Sequence, residues 1–250
     1  MRHLVGVTGA LGLVCFAHVA ACAQGLKTDV GAKPPKAKHE PYFIHPDRLP
    51  LMTMIPAPPA EDSVTTKAEF AELHRIQEAR TPEQVKAAQD DDAEEDIFVY
   101  RTVLGPSFNA QSLPLTAALS AHVHGDEPVA SNGLKERFAR QRPYQVDATL
   151  HPVCKVTTQH NAYPSGHTVS GYMLALTLAK MVPEKSAEIL ERADNYAHNR
   201  LVCGVHTSSD LEASRRIAYV VFGSMTEEPR FQRELAAAQA ETRKALGLNP

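Results

Sequence analysis

The chain has 250 residues, a net charge of −3 and a sequence pI near 6.5, which suits one medium-sized domain with its own core. Basic and acidic residues are interspersed with no basic tract, which excludes a general nucleic-acid binder. Tryptophan is absent, aromatics are 6% of the chain, and Ala, Leu, Glu, Gln, Lys and Arg are plentiful, a mix that favours helix over sheet.

In chain order, Arg2 and His3 precede an apolar run from Leu4 to Ala21, which ends in Ala21-Cys22-Ala23 before Gln24. This reads as a signal peptide over residues 1–23. Val19-Ala20-Ala21-Cys22 also fits a lipoprotein box, whose alternative outcome is a lipid anchor on Cys22. The run is short and interrupted by His18, and no later stretch is long and apolar enough to span a bilayer. Residues 24–60 carry Lys33-Pro34-Pro35-Lys36 and Pro56-Ala57-Pro58-Pro59 and read as a Pro-rich strap or tether with little core of its own. Residues 61–250 read as one all-α domain.

Within that domain Phe70, Leu73, His74 and Ile76 suggest one helix face, and Thr81-Pro82-Glu83-Gln84 a helix start. The acidic run Asp90–Asp96 lacks the turn glycine and alternating spacing of a calcium loop and reads as a solvated helix start. Further helices are expected near 97–104, 113–122, 126–141, 166–181, 185–200, 208–223 and 228–246. His122 and His124 precede one of them, with Gly125 or Asp126 as its cap rather than a metal cluster. Cys15 and Cys22 belong to the signal. Cys154 and Cys203 are then a candidate disulfide in an oxidising compartment, with two buried thiols as the alternative.

Three segments carry chemistry. Lys135 and Arg142 stand about two helical turns apart, which sets both on one side of the helix expected there, with Pro143 ending it. Pro164-Ser165-Gly166-His167 opens another helix. Its unpaired N–H groups suit an anion, Gly166 permits close approach, and His167 sits beside the bound group. Arg200 precedes the bend at Cys203-Gly204. His206 and Asp210 follow, one turn apart, so that the carboxylate can hold one imidazole nitrogen and leave the other to attack.

Taken together, K-x6-R-P, P-S-G-H and R-x5-H-x3-D resemble the superfamily of type 2 phosphatidic acid phosphatases and vanadium haloperoxidases. Within it the chain looks like the bacterial class A non-specific acid phosphatases. The likeness covers most of the chain after residue 23. One departure is Asn199, where the superfamily usually has Ser before the third-motif Arg. The resemblance implies a helical bundle, a soluble periplasmic enzyme and small phosphate monoesters as substrates. It implies His206 as nucleophile, Asp210 as its orienting carboxylate and His167 as general acid. Lys135, Arg142, Ser165, Gly166 and Arg200 would hold the phosphoryl oxygens. No metal or cofactor is implied, and a homo-oligomer of unspecified order is allowed. A vanadium haloperoxidase and a lipid phosphatase are the alternative enzymes, and a phosphate-binding protein with a dead site is the non-enzymatic one. Ser107 and Ser214 lack a nucleophile-elbow context, which sets a serine hydrolase aside.

Overall fold

The computed structural model describes residues 40–249. The signal segment, Cys15, Cys22 and the strap before residue 40 lie outside the described residues. Among the described residues there is no strand, and the all-α expectation holds. The longer helices are α1 (Val64–Ala79), α2 (Pro82–Ala93), α3 (Pro114–Gly125), α4 (Glu127–Phe138), α5 (Gly166–Met181), α6 (Ser186–Val202), α7 (Ser208–Thr226) and α8 (Pro229–Ala245).

Local sequence sets their starts. The Ser63 hydroxyl accepts the Thr66 N–H to cap α1. Thr81 and Gln84 form a reciprocal capping box on α2, with Pro82 at the first helical position. Pro114 and Pro229 open α3 and α8, where a proline's missing N–H had no helical partner to lose.

Helix α5 is the centre of the bundle and is buried along nearly its whole length, unlike an amphipathic surface helix. Helices α6 and α7 pack along it, and α3, α4 and α8 cover other sides. Gly171 lets α6 approach. A Cβ at this position would stand 2.7 Å from the Tyr196 ring, and the Tyr100 hydroxyl donates to the Gly171 carbonyl at 2.8 Å. Holding α5 and α6 this close fixes the relation between the segments that carry His167 and Arg200.

The described part of the strap contributes more core than its sequence suggests. Phe43, Ile44, Leu51 and Ile55 are buried among the main cluster. The Asp126 carboxylate accepts the N–H groups of Tyr42, Phe43 and Ile44 at 2.6, 2.9 and 3.2 Å. Asp126 occupies the N-cap position of α4 through its backbone, as expected, but its carboxylate serves the strap.

The helix expected over 126–141 is broken. It ends at Phe138, and Ala139 takes a left-handed conformation (φ 43°) with its N–H bonded to the Lys135 carbonyl at 2.9 Å. Lys135 is therefore in the last turn of α4, whereas Arg142 is the extended N-cap of a separate short helix, Pro143–Val146. The two do not share a helix face. Pro143 opens a helix instead of closing one, because proline pushes the residue before it out of the helical region.

Cys154 and Cys203 are joined, with S–S 1.97 Å and Cα–Cα 5.2 Å. The bond ties the loop after Val146 to the end of α6. For a separation of 49 residues, loop closure of this kind stabilises the fold by about 4 kcal/mol.

Candidate active site

The bend between α6 and α7 needs Gly204, whose φ of 74° lies in the left-handed region. It delivers His206 and Asp210 into the interior, where they are 1% and 0% exposed. The His206 Nδ1 atom stands 3.3 Å from Asp210 Oδ2, and Nε2 stands 2.7 Å from Arg142 Nη1. A carboxylate on one nitrogen and a guanidinium donor on the other admit one neutral tautomer: Nδ1 carries the proton and Nε2 keeps its lone pair. Burial, then Arg142, Arg200, His167 and Lys135, push the His206 pKa well below the ordinary imidazole value. The ring is thus a neutral base with its nucleophilic atom facing a ring of cations.

Asp210 is held from behind. Its Oδ1 accepts from Arg140 Nη1 at 2.6 Å and its Oδ2 accepts the Thr207 N–H at 2.9 Å. Burial raises its pKa to about 6, with Arg140 and the Thr207 N–H working against that rise. Glu69 holds Arg140 in turn, at 3.2 Å.

The cations are fixed separately. Arg142 donates through Nε and Nη2 to Asn161 Oδ1, at 3.0 and 2.8 Å, and through Nη1 to the Val205 carbonyl at 3.1 Å. Arg200 is 3% exposed and donates through Nη1 to Asp92 Oδ1 at 2.6 Å. Its Nε–H is buried and has no hydrogen-bond partner among the described residues. Such a donor is costly unless an acceptor arrives, and an anion is the natural one. Lys135 Nζ donates to Glu127 Oε1 at 3.0 Å. A Cβ on Gly166 would stand 2.9 Å from Lys135 Nζ and 2.7 Å from Glu127 Oε1, so glycine is what admits this pair against the start of α5.

At that start the Ser165 hydroxyl caps α5, accepting from the Thr168 N–H at 3.4 Å and the Thr168 hydroxyl at 3.0 Å. The Ser165 N–H donates to Ser214 Oγ at 2.8 Å, and Ser214 donates to the Asp210 carbonyl at 2.6 Å. This chain of bonds links the second and third motifs directly.

His167 Nε2 lies 3.3 Å from the Asp92 carbonyl and 3.4 Å from Glu95 Oε1. Burial and the Arg200 charge lower its pKa to about 3, against the opposing pull of Asp92. Burial works to raise the Asp92 pKa, but Arg200, the Lys155 N–H and His167 together bring it below the ordinary value.

The eight expected site residues therefore converge, and the acidic run joins them. It is the C-terminal end of α2 and the loop after it, not a solvated helix start. Asp91 is 6% exposed and holds Arg192 and Asn199 Nδ2, the latter at 2.7 Å. Asn199, the departure from the superfamily pattern, thereby anchors the end of α2 on α6.

Arg140, Asn161, Asp92, Glu95, Glu127 and Ser214 escaped the sequence reading. Some signal existed: Arg140 stands two before Arg142, and Glu127 about two turns before Lys135 on one helix. His74, read only as part of a helix face, lies 2.9 Å from Asp147 Oδ2. His122 pairs with Glu234 at 2.7 Å and stacks on Tyr42. A groove of about 880 Å³ runs past Pro58, Phe70, Phe138 and His160. It meets the site only at Arg140 and Thr207, behind Asp210, and neither Lys135, Arg142 nor Arg200 lines it.

Residues 112–230, which contain every expected site residue from Lys135 to Asp210, match the PAP2 superfamily. That segment carries a PAP2 superfamily domain. Its relatives narrow the placement. An acid phosphatase of Zymomonas mobilis is 29% identical over 238 residues, 89% of this chain and 86% of that one. Non-specific acid phosphatases of Salmonella typhimurium and Providencia stuartii are each 27% identical. The first aligns over 81% of this chain and 84% of its own, the second over 98% and 99%. The resemblance read from the motifs is borne out over most of the chain.

Proposed function

We propose that this chain is an acid phosphatase that hydrolyses phosphate monoesters through a phosphohistidine on His206. The observation that carries this reading is the His206 imidazole. Asp210 Oδ2 accepts a hydrogen bond from its Nδ1–H, and its Nε2 lone pair faces the Arg142 donor with Arg200 and Lys135 close by.

In the first step Nε2 attacks phosphorus as the bond to the leaving oxygen breaks. Asp210 stabilises the positive charge that develops on the ring. Arg142, Arg200 and Lys135 spread the charge of the three non-bridging oxygens, and the unpartnered Arg200 Nε–H gains its acceptor. The Ser165 hydroxyl and the N–H groups at the start of α5 add donors. His167 gives its Nε2 proton to the leaving oxygen. In the second step water attacks phosphorus, His167 takes back a proton, and the P–N bond breaks to release inorganic phosphate.

His167 holds its proton poorly against Arg200 alone. A phosphoester supplies negative charge beside it, which favours the imidazolium. Substrate therefore arms its own general acid, and an acidic optimum follows.

The disulfide and the signal-like start support export to an oxidising compartment such as the periplasm. The test of the reaction is p-nitrophenyl phosphate hydrolysis from pH 4 to 9 with EDTA, beside His206→Ala. We expect activity that EDTA spares and that the substitution lowers about 10⁴-fold or more. An alkaline quench should trap label on wild type and none on His206→Ala. A folded, inactive wild type would sink the proposal.

A further inference from the structure

We infer that Glu95 sets leaving-group selectivity, favouring phosphate esters whose alcohol carries a positive charge over those whose alcohol carries a carboxylate. The inference rests on the phosphatase reading above and deepens it.

The proposed mechanism places the departing oxygen. As the P–O bond breaks, that oxygen takes the proton of His167 Nε2 and so lies beside this atom. The same atom is 3.4 Å from Glu95 Oε1, 3.3 Å from the Asp92 carbonyl and 3.8 Å from Asp92 Oδ1. Substituents on the departing alcohol thus emerge next to the segment from Asp92 to Glu95.

The carboxylates around the site are not equivalent. Asp92 is engaged by Arg200 at 2.6 Å and Glu127 by Lys135 at 3.0 Å. Glu95 has no lysine or arginine within ion-pair distance among the described residues, and its only such neighbour is His167. Its side chain is 39% exposed, against 13% for Asp92 and 10% for Glu127, so an incoming group can reach it. The site therefore has two charge zones. Arg142, Arg200 and Lys135 receive the phosphoryl group, while Glu95 meets whatever leaves. A charge two carbons from the leaving oxygen would lie a few ångströms from this carboxylate, where a unit charge shifts the rate by roughly tenfold in partly solvated surroundings.

The experiment compares kcat/KM at pH 7.5 for O-phosphoethanolamine and phosphoglycolate, each referred to p-nitrophenyl phosphate. These substrates place an ammonium or a carboxylate near the same point. For wild type we expect a preference of about tenfold for the ammonium ester, in keeping with one charge contact. Glu95→Gln should bring the ratio toward parity, and Glu95→Lys should invert it. Because the ratio is taken within each variant, a general loss through His167 cancels. Equal rates in wild type would overturn the inference, as would a preference that Glu95→Gln leaves intact. If wild type turns over none of the three substrates, the phosphatase reading itself fails.

Discussion

Helices α5 and α7 both begin at the candidate active site, and they treat their first-turn donors in opposite ways. The start of α7 is closed from within. Asp210, three residues into the cap, reaches back to the Thr207 N–H at 2.9 Å and is itself neutralised by Arg140. The start of α5 is capped by a neutral serine, has glycine at its first position, and has Lys135 against it. A helix start satisfied by its own carboxylate becomes a rigid mount, and here it carries His206, the proposed nucleophile. A start capped by a hydroxyl and bordered by a cation keeps its field for an external anion. The proposed phosphohistidine chemistry uses one of each.

Breaking the mount should have the largest effect. Asp210→Asn keeps the side chain's shape and an oxygen for the Thr207 N–H. It removes the charge that selects the His206 tautomer and stabilises its positive form. Activity should fall by about 10³–10⁴, the scale seen when a triad carboxylate is made neutral, with KM little changed. Steady-state kinetics beside a thermal melt would check this. A loss under tenfold would mean that Asp210 is not the orienting group.

Breaking the receiving side should cost less and appear as binding. In Gly166→Ala the new methyl would meet Glu127 Oε1 at 2.7 Å and Lys135 Nζ at 2.9 Å. Both are ends of flexible side chains, so the fold should persist while Lys135 is displaced. Losing one well-placed cation contact should weaken inhibition by inorganic phosphate about tenfold, with KM rising in step. Unchanged phosphate inhibition would show that Lys135 does not contact the anion.

The two histidines and Asp210 titrate in opposite senses. His167 and His206 have lowered pKa values, so the folded state resists protons that the unfolded chain takes up near pH 6.5. Their contribution to stability is present above that pH and is lost on acidification. Asp210, raised to about 6, works the other way: its contribution is present below about pH 4 and is lost as pH rises through 6. Two groups against one leave a net loss of stability on acidification below about pH 6. Bound phosphate favours the protonated histidines. Its thermal stabilisation should therefore grow from pH 7 to pH 5, as a melt with and without phosphate would show. A phosphate effect that shrinks over this range would contradict the assignment.

Much of this contrast was legible in the sequence because it lies within short segments. Pro164 to His167 and His206 to Asp210 each span about one turn, and helical spacing alone predicts how their members meet. What was illegible depends on long-range packing. Arg140 reaches Asp210 across 70 positions, and Asp92 reaches Arg200 across 108. No local periodicity reports either contact. The acidic run misled because charge density was taken for solvent exposure, when α6 supplied the partners Arg192 and Arg200 that allow burial. The break at Ala139 failed for a different reason. Alanine is a strong helix former, and only the turn required to aim Arg142 separately puts it at φ 43°.

The smallest predicted effect tests whether the two helix starts act as one unit. Ser214 is fully buried, accepts the Ser165 N–H and donates to the Asp210 carbonyl. Among the described residues it is the single side chain that bonds to both segments. Ser214→Ala removes no charge and creates little space. It leaves the Ser165 N–H buried without its acceptor, which should cost about 1–3 kcal/mol of stability. The donor set at α5 would then shift relative to His206, and kcat should fall a few-fold, since small misplacements are felt in positioned chemistry. Urea denaturation and kcat measured on the same sample separate the outcomes. A stability loss with unchanged kcat would mean that α5 and α7 are positioned independently by their packing, and that the Ser165–Ser214–Asp210 chain only satisfies buried donors.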